Sequence, residues 1–250
     1  MIYKFGLIGE KLGHSYSKIL HQKIMNESGI LGSYDLIEIP LITFSQDFPK
    51  LLLADYKGLN VTIPYKESVI PFLDGLSESA KNIGAVNTIS INNAKAYGFN
   101  TDYDGFLEIF TSNSISIRNK TAAVLGYGGA AKAVITALFD EGISSIVVVI
   151  RDKSKYINNP NYNFVSFEEF NSNAHFYDFI INCTPVGMFP NVNESPIPIS
   201  SLNSTFLFDL IYNPEETLLL SYAKGLGIKS FNGIEMLTSQ ARKAQEIWLK

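Results

Sequence analysis

The sequence predicts an α/β protein of two lobes, and three observations carry that prediction. Short β-branched runs alternate with helical segments from one end to the other, a pattern that implies parallel strands joined by crossover helices. A glycine-rich turn, Gly126-Tyr127-Gly128-Gly129-Ala130, follows an apolar run and opens an alanine-rich segment. At 250 residues the chain is long for a single small core and comfortable for two.

In the first half, residues 3–8 read as a strand and 17–28 as a helix, with Ile19, Leu20, His21 and Ile24 on its faces. Residues 34–39 and 58–63 are again strand-like, and 44–53 helical. A second series starts at Lys120, with a short apolar strand over 121–126 and a helix over 128–140. Residues 145–150 form a β-branched run typical of a strand buried on both faces. Further strands are expected at 177–182 and 205–209, and a closing helix at 234–248. The Asn-rich tract 158–173 carries little pattern.

Composition narrows the function classes. The apolar fraction of 46% is that of a globular protein. A net charge of -4 with both signs dispersed argues against a nucleic-acid partner, which wants a concentrated basic surface. The single cysteine, Cys183, excludes an internal disulfide and reads as a small apolar residue at a strand end. No apolar stretch reaches the ~18–20 residues needed to span a bilayer. The first residues lack the pattern of a signal peptide, so a cytoplasmic location is expected.

The glycine turn carries the first chemistry. In the pattern G-x-G-x-x-A, Gly126 permits the tight turn, Gly128 lets backbone approach a pyrophosphate, and the small third residue allows close helix packing. The helix N-terminus offers unpaired N–H groups to phosphate. Such turns also occur for packing alone; the strand–turn–helix context favours a dinucleotide. The next strand ends in Arg151-Asp152-Lys153-Ser154-Lys155. A basic residue there suits the 2′-phosphate of NADP, whereas an acid suits the ribose of NAD. Arg151 favours NADPH, and Asp152 keeps NAD open.

Four further blocks concentrate hydroxyls, amides or a charge at predicted strand ends, where open α/β sheets bind ligands. They are Gly13-His14-Ser15-Tyr16-Ser17, Asn60-Val61-Thr62-Ile63-Pro64-Tyr65-Lys66, Gly84-Ala85-Val86-Asn87-Thr88 and Asn100-Thr101-Asp102-Tyr103-Asp104-Gly105-Phe106. Capping and turn formation explain any one of them; together they point to a polar site.

These blocks and the glycine turn resemble the shikimate dehydrogenase family. So do Ile181-Asn182-Cys183-Thr184-Pro185-Val186-Gly187-Met188, Asp209-Leu210-Ile211-Tyr212-Asn213-Pro214 and the segment from Asn232 to Gln240. The match is collinear from Gly9 to Trp248. Lys11 and Lys18 stand where the family often has proline, and Ile150 and Asp152 replace the Asn and Thr commonly beside the phosphate-binding Arg151.

The resemblance implies a substrate domain made of residues 1–102 plus 233–250 and a Rossmann-type NADP domain over 103–232, with the active site in the cleft. It implies reversible NADPH-dependent reduction of 3-dehydroshikimate to shikimate, a step toward chorismate and the aromatic amino acids. Lys66 and Asp102 would be the catalytic pair, an ammonium held by a carboxylate presenting a proton to the developing alkoxide. None of Arg118, Arg151 and Arg242 lies in the substrate blocks. Ser15 and Ser17, helped by Thr62 and Tyr212, would therefore hold the substrate carboxylate. Asn87, Asp102 and Gln240 would read the ring hydroxyls. Gly126, Gly128, Gly129, Ala130, Arg151, Lys155, Thr184, Met188 and Gly233 would line the cofactor.

His14 and His21 are expected to hydrogen-bond locally. No His, Cys or carboxylate spacing suggests a metal. The expected partner is the small-molecule substrate, with neither nucleic acid nor membrane, and the chain a monomer or homodimer. Three alternatives stay open: a quinate/shikimate dehydrogenase that also uses NAD, a non-catalytic regulator binding shikimate or nucleotide, and a methylene-tetrahydrofolate dehydrogenase of related design.

Overall fold

The computed structural model describes residues 2–13, 15–155, 159–173 and 175–250, the Lys155 side chain lying outside what is described. The chain divides into two compact units, residues 1–105 with 237–250, and residues 106–236.

The first unit is built on a six-stranded sheet in the order β2-β1-β3-β5-β6-β4. Its strands are β1 (Tyr3–Gly9), β2 (Gly32–Glu38), β3 (Gly58–Val61), β4 (Gly75–Leu76), β5 (Thr88–Asn92) and β6 (Lys95–Phe99). Helices α1 (Ser17–Glu27), α2 (Phe44–Leu52) and α3 (Glu78–Ile83) connect them. β1 runs parallel to β2 and β3. The expectation of parallel strands throughout does not hold beyond that point. β5 is antiparallel to both β3 and β6, and β5–β6 is a hairpin. Its two-residue turn, Asn93-Ala94, has both φ angles positive at 51° and 59°. That left-handed pair matches the twist of the flanking strands, so the chain reverses without a crossover.

Both faces of this sheet are covered. Phe44 and Phe48 of α2 stack with Tyr65 over Ile8, Leu59 and Val61. On the opposite face lie Phe5, Leu7, Met25, Tyr34 and Trp248. Trp248 comes from α8 (Ile234–Trp248), the last helix of the chain. Its ring lies against Gly58, where any side chain would overlap it, and its indole N–H donates to Ile89 O at 2.9 Å. Burial of one tryptophan contributes about 3–5 kcal/mol, which fastens the chain's end to its first hundred residues.

The second unit holds a six-stranded, wholly parallel sheet. Its strands are β7 (Thr121–Leu125), β8 (Ser145–Ile150), β9 (Asn163–Ser166), β10 (Tyr177–Asn182), β11 (Ser204–Asp209) and β12 (Lys229–Phe231). The spatial order β9-β8-β7-β10-β11-β12 is 3-2-1-4-5-6 within the unit, the doubly wound order of dinucleotide-binding sheets. Helix α4 (Asp102–Ser112) precedes β7, and α5 (Gly129–Asp140), α6 (Phe167–Ser172) and α7 (Leu218–Gly225) lie on crossovers between the strands. Phe106 and Phe110 of α4 pack on Phe179 and Phe208. On the other face Phe170, Leu219 and Leu220 cover Ala123, Ile180 and Leu207. The weakly patterned tract contains β9 and α6, the helix opening with a full capping box between Ser166 and Glu169. Asn158 lies outside the described residues.

Candidate active site

The four polar blocks of the first unit leave one edge of its sheet. β1 and β3 are parallel, so Gly9 and Val61 end at the same edge. The antiparallel β5 begins there, since Asn60 pairs with Thr88, and β6 ends there, since Thr88 pairs with Phe99. A mixed sheet thus gathers two strand ends, one strand start and a hairpin return into one cluster.

Lys66 and Asp102 meet at that edge, Nζ to Oδ2 at 2.6 Å. Their side chains are 14% and 3% exposed, so water screens the pair little. Asp102 is set by local chemistry. Its N–H donates to Asn100 Oδ1 at 3.0 Å, while Asn100 Nδ2 donates to Ala85 O at 2.9 Å. On the other side, Val86 N–H donates to Lys66 O at 2.7 Å, which fixes the turn carrying the lysine.

Asn87 is the hub of the buried polar groups beside the pair. Its Oδ1 accepts from Thr101 N–H at 2.8 Å and from Thr88 Oγ1 at 3.0 Å. Its Nδ2 donates to Thr101 Oγ1 and to Gln240 Oε1, each at 3.1 Å. Gln240 lies on α8, so the closing helix reaches this cluster. Asn60 extends the network, donating to Asn87 O and Thr88 Oγ1 and accepting from Tyr34 Oη at 2.8 Å.

The Ser15/Ser17 segment follows β1. Ser15 N–H donates to Leu12 O at 2.8 Å, and Ser17 N–H donates to Ser15 Oγ at 3.2 Å. Ser17 is buried at the start of α1. Leu12 fills the space above Gly9 and beside Thr62, which ties the segment to the end of β3. His14 lies outside the described residues. His21 is buried, stacks on Tyr34 at 4.3 Å and contacts Gln245; burial lowers its pKa to about 3, so it is a neutral packing residue.

In the second unit the glycine turn joins β7 to α5. Gly126 has φ of 96°, a left-handed conformation that favours glycine, and a Cβ there would stand 3.0 Å from Thr184 Cγ2. Thr184 follows β10, the strand beside β7, so the two turns meet where the strand order reverses. Gly128 caps α5 in an extended conformation, with no side chain capping the helix. A Cβ at Gly128 would meet nothing within 4 Å. Neither φ nor protein packing requires glycine there, and the open space over a helix N-terminus fits close approach of a pyrophosphate.

After β8, Arg151 is exposed and makes no ion pair among the described residues. Asp152 Oδ1 accepts from Ser154 N–H at 3.1 Å and Ser154 Oγ at 2.6 Å, so this acid shapes its own loop. Lys153 pairs with Glu169 of α6. Met188 is exposed and Tyr212 half-buried. Gly233 has a packing reason for being glycine, because a Cβ would lie 2.1 Å from Leu210 O.

Comparisons with known proteins place the chain in a family. Residues 7–89 match the family model described as shikimate dehydrogenase substrate binding domain. A shikimate dehydrogenase (NADP(+)) of Clostridium beijerinckii is 45% identical over 98% of this chain and 91% of its own length. The chain belongs to the shikimate dehydrogenase family. Shikimate dehydrogenase 1 from Peptoclostridium difficile superposes with a TM-score of 0.95 at 41% identity, covering 99% of this chain and 92% of that one. The Thermus thermophilus shikimate 5-dehydrogenase, solved in complex with NADP(H) and shikimate, superposes with a TM-score of 0.85 at 30% identity, over 98% and 93%.

Within the shikimate dehydrogenase pattern, one residue carries a part that no sequence motif announces. Glu38, at the end of β2, accepts the Leu12 N–H at 2.6 Å through Oε1. It anchors the segment in which Lys11 and Lys18 replace the family's frequent prolines. Its contact spans 26 residues, so only the pairing of β1 with β2 reveals it.

Proposed function

We propose that this chain is an NADP-dependent shikimate dehydrogenase, reducing 3-dehydroshikimate reversibly to shikimate in the pathway to chorismate and the aromatic amino acids. The single observation that carries the mechanism is the 2.6 Å contact between Lys66 and Asp102, almost closed to water, beside the buried Asn87 cluster. In this reading residues 1–102 with 233–250 bind substrate and residues 103–232 bind NADP.

NADPH supplies the hydride when bound. Lys66 Nζ holds a proton next to the position of the substrate carbonyl oxygen and stabilises negative charge there during reduction. Asp102 keeps that ammonium in one orientation. Asn87 and Gln240, already bonded to each other, read ring hydroxyls, and a site built from paired amides rejects analogues that leave those groups unpaired. Ser15, Ser17 and Thr62 hold the carboxylate. On the nucleotide side, the turn from Gly126 to Ala130 receives the pyrophosphate, with Thr184, Met188 and Gly233 alongside, and Arg151, with Lys155, receives the 2′-phosphate. The engagement of Asp152 by Ser154 supports NADP over NAD. Among the described residues no helix is long and apolar enough to cross a membrane, and a cytoplasmic monomer or homodimer completes the proposal.

The test is a four-way assay, following nicotinamide absorbance during oxidation of shikimate and of quinate with NADP and with NAD. Shikimate with NADP should be favoured by at least about tenfold in kcat/KM, a difference of ~1.4 kcal/mol. Comparable efficiency in all four would favour the broader quinate/shikimate enzyme. Saturable binding without turnover would favour a regulator.

A further inference from the structure

The parallel sheet of the second unit has an apolar interior, yet two buried polar side chains stand at the carboxyl ends of adjacent strands. Asn182 ends β10, Asp209 ends β11, and the two are paired in register and fully buried. Asp209 Oδ1 accepts from Asn182 Nδ2 at 2.9 Å and from Ile211 N–H at 3.2 Å. Its Oδ2 accepts from Thr217 Oγ1 at 2.6 Å, and Thr217 in turn caps α7 by accepting from Leu220 N–H. Asn182 Oδ1 accepts from both Thr184 N–H, at 3.0 Å, and Thr184 Oγ1, at 2.7 Å. One carboxylate therefore reaches the turn after β10 through Asn182 and the turn after β11 through Ile211 and Thr217. Phe189 N–H donating to Asn213 O links the same two turns at their far ends.

A buried carboxylate is costly, and burial pushes the Asp209 pKa up to about 6. The same-face neighbours two residues back in the same strands, Ile180 and Leu207, are apolar and fully buried, which shows what the sheet alone would place there. Sheet stability does not call for a carboxylate at this point; the shape of the two turns does. One of them carries Thr184, in contact range of Gly126, and Met188; the other carries Tyr212.

We propose that Asp209 is a positioning residue that, through Asn182, holds Thr184 and the turn after β10 in the conformation that receives the nucleotide. This rests on the assignment of the glycine turn and Thr184 to NADP. The experiment uses the full chain with Asp209→Ala, Asp209→Asn, Asn182→Ala and Thr217→Val, and measures NADPH dissociation constants by fluorescence titration, kcat with shikimate and NADP, and thermal midpoints. Asp209→Ala and Asn182→Ala should each weaken NADPH about tenfold, the scale of one or two lost hydrogen bonds. Asp209→Asn, which keeps an acceptor for Asn182, should stay within about threefold. Thr217→Val, which removes the helix cap but leaves the link from Asp209 to Thr184, should lower the midpoint with NADPH binding within about twofold.

A folded Asp209→Ala protein with wild-type NADPH affinity overturns the proposal, as does a Thr217→Val protein weakened as much as Asp209→Ala. Should Asp209→Ala not fold, Asn182→Ala decides by the same criterion. Because the readout is NADPH binding, it is independent of whether shikimate is the substrate. Loss of turnover with intact binding in the wild-type chain would count against the proposed reaction and not against this role.

Discussion

The two units of this protein build ligand chemistry by opposite means. The first uses side chains: Asn60, Asn87, Thr88 and Thr101 are bonded to one another beside the Lys66–Asp102 pair, at the edge of a mixed sheet. The second uses backbone: a glycine turn and a helix N-terminus at the edge of a parallel sheet. Side-chain networks are specific and unforgiving, because removing one member strands its partners without hydrogen bonds. A turn position with extended backbone and open space above it, such as Gly128, tolerates substitution structurally. The comparison teaches where each unit should be fragile.

Asn87→Ala is the sharpest way to break it. The change leaves the Thr101 N–H and Gln240 without their partner, and should cost about 2–4 kcal/mol of stability, read by urea unfolding. A loss below about 0.5 kcal/mol would mean the network is not cooperative. Gly128→Ala should do the reverse. Its backbone is already extended and nothing stands within 4 Å of the new methyl, so stability should change by at most about 1 kcal/mol. The KM for NADP should nevertheless rise about tenfold with kcat near normal, since the methyl fills the space over the turn. Unchanged KM would remove the turn from the nucleotide site.

Acid response also distinguishes the two units. His21 in the first unit has its pKa lowered to about 3, so the folded state binds fewer protons than the unfolded chain between about pH 3 and 6.5. Its contribution is lost as pH falls through that window, by up to ~1.4 kcal/mol per pH unit. Asp209 in the second unit has its pKa raised to about 6, so the folded state binds more protons between about pH 4 and 6. Its contribution therefore declines as pH rises. Urea midpoints from pH 4 to 7 should flatten in opposite directions for His21→Gln and Asp209→Asn. Parallel curves for both variants and wild type would show that neither group couples to folding.

Much of this was legible in the sequence, for physical reasons that differ by region. The glycine turn and the β-branched run at 145–150 are local signals, and they place the second unit's sheet and the turn at its edge directly. The capping box of Ser166 and Glu169 lies inside a tract without hydrophobic periodicity, so the sequence pattern does not place α6. The hairpin was less legible, because Asn93 is followed by Ala94 in place of the usual glycine, and alanine at a positive φ gives no warning. Lys66 and Asp102 were visible as blocks, but their meeting depends on β5 running antiparallel beside β3. Glu38 and Asp209 act through residues far away in the chain or across strands, and no local pattern encodes such contacts.

The measurement that bears most directly on the central claim is the steady-state rate of Lys66→Ala with shikimate and NADP, taken with its NADPH affinity. The account predicts a kcat lower by roughly 10²–10⁴ with nucleotide binding near wild type. Wild-type turnover in a correctly folded Lys66→Ala enzyme would contradict it.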